Sequence, residues 1–246
     1  VTGNPFAAHI NIAKFLEVNK NNISEVKLTN GNGTHTVLYR NGEITSTAPG
    51  FTHIAPMQGF YVTANTKMQT LRLQFTADMQ EQKPGYNIYA NGEDNGLSIP
   101  KRALTRSASG QNNELRIQAV SAGKSTQCVV RLRPDCHPEF RSGEDSRLLY
   151  DSENAPTVAV FTVAGGVAAD IQQLPADGAR SIDLGWRLEH AREVTLHLSH
   201  EAGSEWSRWA IENRQTGERI SLNNTETVVK LGQQSTRIGG WRLVKE

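Results

Sequence analysis

The sequence predicts an all-β protein made of two tandem antiparallel β-sandwich domains of the jelly-roll or immunoglobulin-like type, with one short helix near the N-terminus. Most periodic segments alternate apolar and polar residues, as half-buried strands do. Turn-forming pairs such as Asn41-Gly42 and Gly165-Gly166 separate these segments. Helical spacing occurs in one short segment. Many short strands with so little helix are typical of antiparallel sandwiches.

The first predicted element is the helix. The side chain of Asn11 can cap a helix N-terminus, and Ile12, Phe15 and Leu16 then fall on one face of a helix that ends near Asn19. About two turns are too few to be stable alone, so this helix is expected to pack on a sheet. The strands predicted after it in the first half are Ser24–Thr29, Thr34–Arg40, Gly59–Ala64 and Thr70–Phe75.

The second half is predicted to contain strands without helices. These strands are Glu114–Val120, Thr126–Arg133, Thr157–Ala164, Val167–Leu174, Ser181–Leu188, Glu193–Ser199, Arg208–Asn213, Thr227–Leu231 and Arg237–Val244. Between the halves, residues 80–113 are polar and rich in Gly, Asn and Ser, and residues 106–112 are the best linker candidate. We therefore predict an N-terminal β-sandwich domain over residues 1–110 and a C-terminal one over residues 111–246.

The composition is that of a globular protein. The 246 residues are 37% hydrophobic and 21% charged, which is too apolar for a disordered chain. A net charge of +1 argues against a surface dedicated to nucleic acid or anionic membranes, and no apolar run is long enough to span a bilayer. No basic-then-apolar leader stands at Val1. We expect a mature or truncated start, with truncation favoured because Gly3-Asn4-Pro5 is typical of mid-domain sequence.

Two motifs contain residues that shape the backbone rather than reactive groups. Gly3–Phe6 has the sequence Gly-Asn-Pro-Phe, and His53–Val62 contains Ala-Pro-Met-Gln-Gly followed by alternating apolar residues. We expect Pro56 to set an extended approach and Gly59 to allow close backbone contact. The Met-Gln pair between them is expected to fix the start of the following strand.

The two cysteines allow two interpretations. Cys128 and Cys136 are eight residues apart, and they could form a disulfide within one hairpin if the chain reverses near residues 133–135. Alternatively, they are two unpaired thiols, one buried in a strand and one in a loop. A zinc site is disfavoured because no His-rich motif accompanies them.

Four aromatic residues are the candidate ligand contacts. Trp206 and Trp209 flank a predicted transition from loop to strand, and Tyr86 and Tyr89 lie in the polar segment between the halves. Exposed rings could stack on sugars. The alternative for the tryptophans is that one belongs to the core and the other covers the edge of the sandwich.

Few residues point to catalysis or metal binding. Nucleophile-elbow, phosphate-loop and metalloprotease motifs are absent from the sequence. Glu139, Glu144 and Asp145 lie in an acidic, loop-like stretch, where carboxylate oxygens could hold calcium. The nearby arginines favour instead a solvated loop with ion pairs, and the spacing of an EF-hand loop is missing.

Motifs along nearly the whole chain occur in the order found in one protein family. They are Gly3–Phe6, the helix around Phe15-Leu16, Ala55–Val62, Leu73–Met79, Leu115–Ile117, Val129–Leu132, Ile182–Trp186, Val194–Leu198, Ile211–Gly217 and Trp241–Val244. The series resembles a region of large secreted surface proteins of Bacteroidetes, commonly found just ahead of the C-terminal sorting domain of the type IX secretion route. The resemblance implies an adhesin-like, exported β-sandwich region and supplies no catalytic residues.

We therefore expect a non-enzymatic adhesion or structural module of a larger exported bacterial protein, located extracellularly or on the outer cell surface. The expected partner is a host or cell-surface protein or a glycan, without nucleic acid, a membrane-spanning segment or a cofactor. The alternative is a carbohydrate-binding module of a secreted protein, which requires an exposed aromatic pair. A hydrolase fragment is a third alternative, and it requires a pocket with paired carboxylates or an activated nucleophile.

Overall fold

A computed structural model describes residues 1–30, 33–65, 70–81, 113–149 and 158–246. Strands dominate these ranges and one α-helix accompanies them, so the all-β prediction is confirmed. The chain divides into two compact units. The N-terminal unit contains Val1–Leu28 and His35–Ser109, and the C-terminal unit contains Thr29–Thr34 and Gly110–Glu246.

Two small sheets and a helix form most of the N-terminal unit, although the end of one strand and the start of the next, within Thr29–Thr34, belong to the C-terminal unit. The strands are β1 (Thr2–Gly3), β2 (His9–Asn11), β3 (Ile23–Asn30), β4 (Gly33–Arg40), β5 (Glu43–Ser46), β6 (His53–Ile54), β7 (Gly59–Ala64) and β8 (Gln80–Glu81). One sheet has the strand order β1-β7-β3-β4-β5, and the other has the order β6-β2-β8. Helix α1 (Ile12–Asn19) follows β2 directly, and a 3₁₀ turn (Ala77–Met79) precedes β8.

The predicted helix is confirmed together with its cap. Asn11 Oδ1 accepts a hydrogen bond from the Lys14 backbone N–H at 3.1 Å, and Phe15 and Leu16 are fully buried. Phe15 packs edge-to-face against Phe60 of β7, with ring centroids 5.5 Å apart. Because the helix has eight residues, its stability depends on this packing more than on its own hydrogen bonds.

The expected strand at Thr70–Phe75 is wrong. Alternate residues of this segment, including Leu73 and Phe75, do pack against the core, as the apolar alternation predicts. The hydrogen-bond partner, however, is the Asn19 side chain: its Nδ2 donates to Gln74 O at 2.9 Å, and its Oδ1 accepts from Gln74 N at 2.8 Å. One side-chain amide offers both a donor and an acceptor, and can therefore replace a neighbouring strand.

One large curled sheet forms the C-terminal unit. Its strands are β9 (Glu114–Ser121), β10 (Lys124–Leu132), β11 (Ser146–Arg147), β12 (Val158–Ala164), β13 (Val167–Leu174), β14 (Ser181–Leu188), β15 (Arg192–His200), β16 (Trp209–Asn213), β17 (Arg219–Ser221), β18 (Glu226–Gln234) and β19 (Arg237–Lys245). Their order is β17-β16-β19-β14-β12-β13-β10-β9-β15-β18, with β11 beside β13. Inward-facing residues from distant strands, such as Ile117 of β9 and Leu184 of β14, belong to one buried cluster, so the sheet curls around its own core.

Strand β13 joins the two halves of the curled sheet. Its first residues pair antiparallel with β12, with Ala169 opposite Thr162, and its last residues pair parallel with β10, with Ile171 opposite Val129. The parallel pair departs from the fully antiparallel pairing that we expected. It arises because the chain leaves β10 at Leu132 and forms β12 before β13, so β13 comes alongside β10 in the same direction.

Candidate functional site

Both candidate tryptophans belong to the core, so the predicted sugar contact at Trp206 and Trp209 is wrong. Trp206 lies in a 3₁₀ turn (Glu205–Arg208) and Trp209 begins β16, and both side chains are fully buried. Their ring centroids are 5.0 Å apart. The two tilted rings pack against each other in the core, and neither ring face is open to a ligand. The other two candidates, Tyr86 and Tyr89, lie outside the described residues.

Cys128 and Cys136 are not joined by a disulfide, so the disulfide alternative is wrong and the alternative of one strand thiol and one loop thiol is correct. Cys128 faces the core from β10, opposite Ile117 of β9. Burial, and then the charge of Asp170, raises the pKa of the Cys128 thiol, which disfavours the reactive thiolate. Cys136 Sγ lies 3.9 Å from Gln173 Oε1. The neighbours of β10 in the sheet are β9 and β13. The chain that directly follows β10 therefore does not pair with it as a hairpin.

The acidic stretch uses its carboxylates to hold a loop against β13. Asp145 Oδ1 accepts a hydrogen bond from the Gln173 backbone N–H at 2.7 Å. The Glu144 carboxylate accepts a hydrogen bond from the His137 backbone N–H at 3.0 Å. Its other oxygen lies 2.9 Å from Nδ1 of the His137 ring. Glu139 is exposed. Within the described ranges no group of three or more His, Cys, Asp or Glu side chains could hold a metal ion, so this geometry does not support the calcium alternative.

A connected set of polar and ionisable side chains lies in the N-terminal unit, on the sheet β6-β2-β8. We call it the His53 network, and its members are Asn11, Lys14, Thr52, His53 and Glu81. His53 is buried on β6, and its Nε2 lies 2.7 Å from Glu81 Oε2 on β8. The contact crosses over β2, which lies between these two strands. His53 Nδ1 lies 2.8 Å from Thr52 Oγ1.

Glu81 is the centre of charge in the His53 network. Its Oε1 accepts hydrogen bonds from Asn11 Nδ2 and from Lys14 Nζ, each at 3.0 Å. The hydrogen bond from His53, followed by that from Lys14, lowers the pKa of Glu81 to about 2. An ionised carboxylate can only accept hydrogen bonds, so His53 Nε2 carries a proton and donates.

The order of groups in the His53 network is hydroxyl, imidazole, carboxylate, which is the connection found in serine hydrolases. Here the carboxylate also binds a lysine and an asparagine, and the hydroxyl belongs to Thr52, the chain neighbour of His53. These bonds link β6, β2 and the start of α1 to β8. The contacts therefore directly support a structural role for the His53 network, which is to hold the short strands together.

A second polar set confirms the backbone-shaping role predicted for the two motifs. The Asn4 backbone N–H donates to Gln58 O at 2.9 Å, and Asn4 Nδ2 donates to Ala55 O at 2.9 Å. Gln58 Oε1 accepts from the Ala55 N–H at 2.9 Å, immediately before β7. The close contact expected at Gly59 is wrong, because a Cβ there would meet Thr2 O at an ordinary 3.8 Å.

The His53 network was not predicted from the sequence. His53 and Glu81 are 28 residues apart on two strands of two residues each, and such strands are too short to show periodicity. The one member of the network that the sequence indicated was Asn11, as the helix cap. Its side-chain Nδ2 also donates a hydrogen bond to Glu81 Oε1.

Comparison with known proteins identifies no relative: no protein-family model, curated protein or solved structure matches the chain. Among the residues that the structure describes, no helix is both long enough and apolar enough to cross a membrane.

Proposed function

We propose that this chain is a non-enzymatic structural and adhesive β module of a larger exported bacterial protein, acting at the outer cell surface. The observation that carries the proposal is the position of two strands in the C-terminal unit. The first strand after the predicted linker, β9, and the last strand, β19, both lie in the interior of the sheet rather than at its edge. An adhesive module that links its partner to the cell bears tension along its chain, and strands paired on both sides resist that tension better than edge strands do.

Both strands are held on two sides. Strand β9 pairs with β10 on one side and β15 on the other, and β19 lies between β14 and β16. Pulling either strand out of the sheet therefore breaks two ladders of backbone hydrogen bonds. Four antiparallel pairings and one parallel pairing separate β9 from β19, so the two strands run in the same direction along the sheet.

This common direction determines how a force would act. The start of β9 and the end of β19 lie toward opposite ends of the strands, so tension between them shears many hydrogen bonds at once. Tension between the end of β9 and the end of β19 would instead open the bonds one after another. The first geometry is the one that tension along the chain through this unit would produce.

We also propose the finer architecture, two tandem β-sandwiches with their boundary near residue 110. In the C-terminal unit this is supported by the single apolar core that both halves of the curled sheet share. Expression of residues 111–246 alone tests the proposed boundary. A cooperative unfolding transition would support it, and an unfolded product would overturn it.

The adhesive partner is proposed to be a protein or glycan of a host or neighbouring cell. The carbohydrate-binding alternative depended on exposed tryptophans, and the burial of Trp206 and Trp209 removes that support. We therefore do not put it forward as a second function.

Single-molecule force measurement tests the mechanical part of the proposal. The full chain is held through non-cysteine chemical handles at Asn113 and Glu246, and in a matched control at Ala122 and Glu246, which moves one handle to the far end of β9. We expect a clearly higher rupture force for the first pair of handles. Equal forces, or a higher force in the control, would overturn the mechanical role.

Location and chemistry need separate tests. Protease treatment of intact source cells should release the chain if it is displayed on the surface, and a fully protected chain would contradict export. A panel of glycoside, ester and peptide substrates should remain intact with the purified protein. Reproducible hydrolysis of any of them would overturn the non-enzymatic proposal.

A further inference from the structure

Strand β18 ends the order of the large sheet. It spans nine residues, Glu226–Gln234, and among the described strands it pairs with β15 alone. The strand at the other end of the order, β17, has three residues. A long edge strand leaves a row of backbone donors and acceptors available to another chain.

The register identifies the residues of β18 that face the open edge. The His200 N–H donates to Thr225 O at 3.0 Å, so these residues form a hydrogen-bonded antiparallel pair just before β18. Hydrogen-bonded pairs alternate along an antiparallel ladder. Thr227 and Val229 therefore bond toward β15, whereas Glu226, Val228 and Lys230 direct their N–H and C=O groups outward.

The same three residues carry exposed side chains. Glu226 and Lys230 are exposed, and Val228 is 49% exposed, which makes it one of the few large apolar side chains open to solvent in the described ranges. Neither charged side chain forms an ion pair with another described residue. An acidic, an apolar and a basic residue thus stand at alternate positions on one exposed face.

We propose that β18 pairs antiparallel with β18 of a second copy of this chain, about a two-fold axis at Val228. In this register Val228 lies opposite its own copy, and Glu226 lies opposite Lys230 of the second copy at two symmetric positions. Opposite charges and β-branched residues are favourable cross-strand pairs. Because all three positions direct their backbone groups outward, each pairing also forms backbone hydrogen bonds. The two large sheets become one continuous sheet.

A bulge sets the length of this contact. The pairing of β18 with β15 shifts between Lys230, opposite Thr195, and Gly232, opposite Val194. Bulges bend an edge strand and end straight pairing. The contact is therefore confined to about five residues, and we expect a dimer that forms at high local concentration, as on a crowded surface, and dissociates on dilution.

The opposing interpretation is that Lys230 protects the edge against pairing, as charged residues do on many edge strands. The two ideas differ in what charge reversal does. If the charges guide pairing, Glu226→Lys or Lys230→Glu alone places like charges opposite each other, while the double variant restores attraction. If Lys230 instead repels a second β18, the double variant, which combines Lys230→Glu with Glu226→Lys, does not recover the dimer affinity that the single variants lose.

Sedimentation equilibrium of the full chain, over a wide concentration range, tests the proposal. Each single variant is expected to raise the dimer dissociation constant about tenfold, and the double variant should return it close to the wild-type value. Glu218→Lys is the matched control: it makes the same charge change at an exposed turn before β17 and should leave the constant unchanged. A wild-type protein that remains monomeric throughout, or a double variant no better than the singles, would overturn the proposal.

Hydrogen exchange distinguishes β18 pairing from any other dimer. Raising the protein concentration should protect the amides of Glu226, Val228 and Lys230, while those of Thr227 and Val229, already bonded to β15, should not change. Dimerisation without this alternating protection would place the contact elsewhere and overturn the assignment to β18.

Discussion

The N-terminal and C-terminal units satisfy their buried backbone groups in different ways. Strands β1, β6 and β8 of the N-terminal unit have two residues each, and side chains such as Asn4 and Gln58 supply hydrogen bonds that longer neighbours would provide. In the C-terminal unit β10 and β15 have nine residues each and bond mainly to adjacent strands. The main buried cluster of this unit consists of apolar side chains, including Trp206 and Trp209, and side-chain bonds such as that of Asp145 to the Gln173 N–H hold the loop beside β13.

This difference has an energetic consequence. A buried carbonyl that loses its side-chain donor keeps its full desolvation cost, so single polar residues matter most where strands are short. Where the ladders are long, the volume of the core side chains matters more. The two units should therefore respond to different substitutions, and they can be monitored separately. The four tryptophans all lie in the C-terminal unit, so their fluorescence reports on that unit alone.

The largest effect is expected from Trp206→Ala. Truncating this buried ring should lower the free energy of unfolding of the C-terminal unit by about 3–5 kcal/mol. Urea denaturation followed by fluorescence of the remaining tryptophans measures it. Trp206→Phe is the control and should cost clearly less, because the indole N–H has no hydrogen-bond partner among the described residues. An equal loss for both variants would contradict the idea that the volume of the buried ring is what stabilises the unit.

The next effect tests the polar side of the comparison. Asn4→Ala leaves the carbonyls of Ile54 and Ala55 without a side-chain donor and should destabilise the N-terminal unit by about 3 kcal/mol. Amide exchange of Ile10 measures this loss, and tryptophan fluorescence should be unaffected. Asn22→Ala removes an exposed bond to Arg72 O and serves as the control, with little expected change. Similar losses for the two variants would contradict the importance of burial.

A smaller effect is expected where the C-terminal unit is tightly packed. Gly185 lies opposite Phe161 on the neighbouring strand, and a Cβ at Gly185 would come within 2.4 Å of Phe161 Cε2. Gly185→Ala should therefore cost about 1–3 kcal/mol through overpacking. Adding Phe161→Leu should recover part of the loss in the same denaturation experiment. If the double variant is less stable by the full sum of the single changes, the ring does not cause the strain.

The predictability of the fold follows the same division between the units. The strands Val167–Leu174 and Ser181–Leu188 were predicted with their observed limits. The Gly165-Gly166 turn marks the start of the first strand, and the second alternates Ile182, Leu184 and Trp186 with other residues. Strands β6 and β8 were missed because two residues cannot show a period. At Thr70–Phe75 the alternation correctly predicted which side chains face inward, but the partner was the Asn19 side chain, which no local pattern could reveal.

The candidate site was less predictable than the fold. The sequence located Trp206 and Trp209 near the start of a strand, but their burial depends on how the large sheet curls, which is a property of the whole unit. The helix cap at Asn11 was predicted from its own segment. Its second bond, to Glu81, depends on three strands meeting, so the His53 network became visible only in the structure.

The last prediction concerns pH and the His53 network. The folded-state pKa of Glu81 is about 2, below its ordinary value of 4.5, because it accepts hydrogen bonds from His53 and Lys14. A lowered carboxyl pKa adds stability that is fully present above pH 4.5 and is lost as the pH falls toward 2. The wild type should therefore have a higher urea midpoint than Glu81→Gln at neutral pH.

The difference between the wild type and Glu81→Gln should shrink in acid. Amide exchange in the N-terminal unit measures the urea midpoint of each protein. We expect the midpoints of the wild type and Glu81→Gln to converge as the pH falls from 4.5 to about 2. Asp78→Asn removes an exposed carboxylate three residues earlier and should show no comparable dependence. A constant difference between wild type and Glu81→Gln across this range would mean that the charge of Glu81 does not stabilise the fold, and that its contacts act through shape alone.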